Sequence, residues 1–167
     1  MELIIDFDVE IDRPAQEVFD VIGDARNMPS WASEFEWVEK TSEGPIGKGS
    51  TFKGKFNRGD LECDFEFEHY EPGRIVGWHA PPVRRGPGAI ESKGMLTLEE
   101  RDGGVTLHAA WRPELHGSYK IMSPILKRMI KKERGEDLQK LKALVEGTLD
   151  ETEQTPAKGE RGRRGRA

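Results

Sequence analysis

Cysteine is almost missing from this chain: of 167 residues only Cys63 carries a thiol. A single thiol excludes an internal disulfide and a thiolate metal cluster, and it suits a reducing compartment. Long apolar runs are missing as well. No uninterrupted stretch exceeds three apolar residues, too few for a membrane-spanning helix. The first residues, Met1 to Asp6, bring acid where a secretory leader brings base, so a cytoplasmic protein is expected. Metal-ligand spacing of the His-x-x-x-His kind does not occur, and neither a metal nor a cofactor is expected. Gly47-Lys48-Gly49-Ser50-Thr51 has the composition of a phosphate loop, but Gly49 interrupts the required order and a strand follows it. Ser118 and Ser123 sit in no nucleophile motif.

Charge is plentiful but uneven. Hydrophobic residues make up 35% of the chain and charged residues 34%, which a sheet with one wet face accommodates. Residues 158–167 hold five basic side chains against Glu160, a net of +4, so the first 157 residues carry −9 of the overall −5. An acidic body argues against a nucleic-acid surface. Residues 150–167, rich in Glu, Thr, Gly and Arg, read as a disordered basic tail behind one domain over 1–149.

Residues 3–11 alternate, with Leu3, Ile5, Phe7, Val9 and Ile11 against Asp6, Asp8 and Glu10. That is a half-buried strand. Pro14 opens a helix that carries Val18, Phe19, Val21 and Ile22, and Pro29-Ser30-Trp31 begins a second short one. Strands follow over 35–40 and 50–56. Over 61–70 the alternation is clean: Leu61, Cys63, Phe65, Phe67 and His69 share one face, and Glu62, Asp64, Glu66 and Glu68 the other. Further strands are expected over 75–80, 89–100 and 104–112, with 81–88 as a Pro/Gly/Arg loop. Seven strands joined mostly by tight turns imply an antiparallel sheet. Residues 115–148 then read as helix, with Leu115, Tyr119, Met122, Leu126, Met129, Ile130, Leu138 and Leu141 recurring at three and four.

One strand, two short helices, six strands and one long helix form an α+β pattern in which the last helix covers the apolar face of a curved sheet. The space such a helix leaves beneath it is the usual form of a small-molecule site. The order resembles the helix-grip fold of the START-like superfamily, also called SRPBCC. The similar stretches are Val18 to Asp24 with Met28-Pro29-Ser30-Trp31, then Gly47 to Phe52, Tyr70 to Val76, and Leu138 to Glu146. The resemblance implies an apolar small molecule, such as a lipid, polyketide or quinone, held between the sheet and the C-terminal helix; only some members are catalysts.

On that reading the candidate cavity residues are Trp31, Phe52, Phe56, Phe65, Phe67 and His69, with His79, Trp111, Tyr119, Met122, Leu126 and Met129. Each could equally be ordinary core. His69, placed by parity on the apolar face, is the sharpest polar candidate, because a histidine there needs a partner. Three functions remain open: a binder or carrier of an apolar molecule; a polyketide cyclase, aromatase or dehydratase using His69, His79 or Tyr119 as acid/base groups; and a partner-binding module. Monomer and homodimer are both compatible with the sequence.

Overall fold

The computed structural model describes residues 1–147; the tail expected over 150–167 lies outside them. The elements run β1 (Ile5–Ile11), α1 (Ala15–Ile22), a 3₁₀ turn (Ala25–Ser30), β2 (Phe35–Lys40), β3 (Thr51–Phe56), β4 (Glu62–Glu71), β5 (Ile75–Arg85), β6 (Gly88–Arg101), β7 (Gly104–Trp111), β8 (Glu114–Gly117), a second 3₁₀ turn (Ser118–Lys120) and α2 (Ser123–Glu146). The sheet is antiparallel in the order β1-β7-β6-β5-β4-β3-β2. This is the curved seven-strand path that the alternation implies, with α2 lying across its inner face and two short helices after β1.

Three boundaries differ from the sequence reading. The expected loop at 81–88 is the end of a long hairpin: β5 continues to Arg85 and β6 starts at Gly88. Pro81 and Pro82 hide it from a pattern search, and they fall where the register shifts between Ala80 and Val83, the kind of irregularity that tolerates proline in a sheet. The expected helical start at 115 is instead an eighth strand, β8, paired with Gly88–Glu91 of β6. With 14 residues, β6 is far longer than the 8-residue β7 beside it, and β8 supplies partners for the backbone that β7 leaves unpaired. Leu115 is fully buried there, and α2 begins at Ser123. The second short helix starts earlier than Pro29, at Ala25, because the Asp24 carboxylate accepts from the Arg26 amide 3.0 Å away and caps it.

The dry core lies at one end of the sheet. Val18, Phe19 and Ile22 of α1 and Leu138 and Leu141 of α2 meet Ile5, Val76, Leu96, Val105 and Leu107. α2 runs unbroken through Gly135, where a methyl group would lie 3.3 Å from the Phe7 ring; the glycine lets strand and helix close together. Gly147 ends α2 in the left-handed conformation (φ 71°), its N–H donating to the Ala143 and Leu144 carbonyls.

Candidate functional site

At the other end of the sheet the core gives way to a cavity of about 550 Å³. Its walls come from β3 to β7, the segment Ser33–Phe35, and residues 129–136 of α2. Five aromatic rings stand in the wall beside charged and polar side chains. Phe35 stacks on Phe56 at 5.3 Å and tilts against Phe65 at 6.0 Å, and Trp78 meets Trp111 edge-on at 6.2 Å. Trp78 lies flat over its cross-strand neighbour Gly94, where any β-carbon would sit 2.2 Å from the ring. The Arg85 guanidinium covers the Phe56 ring at 4.3 Å, a cation–π contact at the rim. The exposed lining residues, Ser33, Asn57, Arg58, Met129, Lys132 and Glu136, mark the mouth between the β3–β4 turn and α2.

One ionic cluster breaks the aromatic wall. Arg134 is buried, donates to Asp137 Oδ2 at 2.9 Å and to Glu34 Oε2 at 2.5 Å, and its guanidinium carbon lies 5.9 Å from the Trp111 ring centre. Asp137 also accepts from the Ser33 amide at 3.0 Å. Burial opposes the charge on Arg134, but Glu34 and Asp137 outweigh it and hold the guanidinium above its ordinary pKa. Burial pushes the Asp137 carboxyl up, against the pull of the Ser33 amide and Arg134. Glu34 and Arg134 both line the cavity, an oriented ion pair in a wall that also carries Arg58, Arg85, Lys132 and Glu136. The Cys63 thiol lines it too, but burial, helped by Glu34 and Asp64, raises its pKa to about 12. It stays a protonated thiol and offers no nucleophile.

Of the twelve sequence candidates, Phe56, Phe65, Trp111 and Met129 line the cavity. Trp31, Phe52 and Phe67 are buried core beside it; the Trp31 indole N–H is buried without a hydrogen-bond partner among the described residues. The other five lie elsewhere. A β-bulge between Phe67 and His69 inserts Glu68 and reverses the parity of β4, so His69 is exposed and Tyr70 turns inward, stacking on Phe67 at 5.7 Å. His79 also points away from the cavity, because Trp78 and Ala80 take the inward positions of β5; its Nε2 lies 2.7 Å from Glu91. Tyr119 packs on Gly88 and donates to the Arg85 carbonyl at 2.5 Å. Met122 is exposed, and Leu126 is half-buried outside the cavity lining. None of His69, His79 and Tyr119, the acid/base candidates, lines this cavity.

Sequence reading passed over Trp78, Phe35, Glu34 and Arg134. Arg134 had a signal: it stands four residues after Ile130 and four before Leu138, at a core position of the α2 stripe.

On the outer face, Glu91, Glu114 and His116 bring ligand atoms within 4.8 Å of one another, a cation-sized group formed from two strands. Lys93 already serves it with positive charge, its Nζ 3.4 Å from Glu91 and 3.9 Å from Glu114.

The family model described as polyketide cyclase/dehydrase and lipid transport matches residues 3–146. No curated protein matches the sequence. Among solved structures, a conserved protein from Geobacillus kaustophilus superposes with a TM-score of 0.71 at 16% identity, covering 87% of this chain and 97% of its own. Ara h 8.0201 gives 0.66 at 12% identity over 88% and 99% of the two chains. DynU16, from the dynemicin biosynthetic locus, gives 0.61 at 20% identity over 86% of this chain and 47% of its own. At such identities the likeness is one of fold.

Proposed function

The chain belongs to the polyketide cyclase/dehydrase and lipid transport family, and from that premise we propose that it binds one apolar small molecule in the cavity, with a polar group of the ligand set against Glu34 and Arg134. The observation that carries this is the wall itself: about 550 Å³ of space bounded by Phe35, Phe56, Phe65, Trp78 and Trp111, with the half-buried Glu34–Arg134 ion pair set among them. The volume falls within the usual range for small-molecule sites, roughly 300–1,000 Å³. Burying about 200 Å² of apolar ligand surface contributes roughly 5 kcal/mol, before the cost of association.

Mass spectrometry of the intact protein isolated from its own host, with solvent extraction, tests the reading. A stoichiometric apolar molecule is expected, and Ala80→Phe, which fills the cavity from β5, should come away empty with its fold intact. An empty wild-type protein whose Tm no lipid, quinone or polyketide raises defeats the proposal.

A second reading, processing of a polyketide-like chain, is favoured by the Glu34 carboxylate on the cavity wall. Glu34→Gln separates the two: a catalyst loses turnover with binding retained, whereas a carrier has no turnover to lose.

A further inference from the structure

Four of the exposed large hydrophobic side chains fall in one stretch of nine residues: Ile121 (87% exposed), Met122 (44%), Ile125 (61%) and Met129 (54%). Steps of three and four place Met122, Ile125 and Met129 in one row along the start of α2, with Ile121 four residues before Ile125. Five exposed cations accompany them, Lys120, Lys127, Arg128, Lys131 and Lys132, and no acid occurs between Glu114 and Glu133. Of these five, only Lys132 has a carboxylate within reach among the described residues, Glu136 at 4.0 Å. This is a basic, apolar patch on an acidic chain. It also adjoins the cavity, since Met129 and Lys132 belong to both.

We infer that this first half of α2 docks on an anionic lipid bilayer, with the cavity mouth beside the membrane. An apolar ridge flanked by Lys and Arg is what a bilayer interface receives: the ridge sits at the acyl boundary and the cations meet phosphates. A second copy of the chain is a poorer occupant, because a two-fold contact would set the cations against themselves. A nucleic acid would satisfy the cations and leave the ridge in water. The patch gives the proposed ligand site a source, and to that extent rests on it: an apolar molecule would enter directly from the lipid phase.

The full chain is sedimented with vesicles of phosphatidylcholine alone and of phosphatidylcholine with phosphatidylserine. Binding is expected to the second, weakening with salt, and little to the first. The triple variant Lys127→Glu, Arg128→Glu, Lys131→Glu should lower vesicle partitioning by roughly 5-fold or more per position, and Ile121→Ser with Ile125→Ser by roughly 10-fold. None of these five side chains lines the cavity, so uptake of a soluble apolar probe should be unchanged; that measurement separates failure of docking from failure of the ligand site. The inference is overturned by absence of binding to either vesicle. It is equally overturned by binding that both variants keep and removal of residues 150–167 abolishes, or by a dimer that Ile125→Ser dissolves without any vesicle binding.

Discussion

A guanidinium set among aromatic rings stays there because two carboxylates and a backbone amide complete its surroundings. Arg134 is 10% exposed at its side chain and Asp137 is 2% exposed, so removing the arginine alone leaves Asp137 buried with only the Ser33 amide and takes the cation from Glu34. Arg134→Met should cost about 3–5 kcal/mol in urea unfolding, and adding Asp137→Leu should recover part of that loss. A second residue answers to pH. His108 bridges Asp8 at 2.5 Å and Glu99 at 2.8 Å across β1, β7 and β6. Both ring nitrogens face acceptors, so the cation is the form that fits. The hydrogen bonds to Glu99 and then Asp8 raise its pKa above 6.5. Its contribution is therefore complete below the unfolded value of about 6.5 and is lost as pH rises through the higher folded value. Denaturant midpoints at pH 6 and pH 9 should differ more in the wild type than in His108→Gln.

At the scale of the element, period-two alternation identified the strands and even their inward faces, up to the point where one residue was inserted. In β4, Cys63, Phe65 and Phe67 face inward as their spacing implies, and beyond Phe67 the count is off by one. Composition gives no warning, because Glu68 extends the alternation without fault; the bulge is fixed by pairing with β5, which local sequence does not encode. Deleting Glu68 should return His69 to the interior and expel Tyr70 from its contacts with Phe19 and Phe67. A loss of more than about 2 kcal/mol is expected from two aromatic pairs and a buried imidazole, read as a fall in Tm. β8 escaped for a related reason: its pairing with β6 is a long-range answer to unpaired backbone, while Leu115 and Tyr119 happen to extend a helical spacing. The aromatic wall was partly legible, through Phe56, Phe65 and Trp111. The ionic pair was not, since Glu34 and Arg134 meet only after the 3₁₀ turn has swung residues 33–35 against α2.

At the scale of the molecule, the same helix serves two halves. Leu138 and Leu141 of α2 are buried in the core, whereas residues 123–133 have most side chains in water and reach the cavity only from Met129 onward. Amide exchange should be faster in the first half than in the second, and a bound ligand should slow the first half selectively. The lining is not held equally everywhere. Arg134 and Trp78 are fixed by close partners, whereas Met129 and Ile130 border the cavity from the wetter half of α2. A change in the shape of the cavity should therefore begin on that half of the helix, where a new side chain displaces water before it displaces packing.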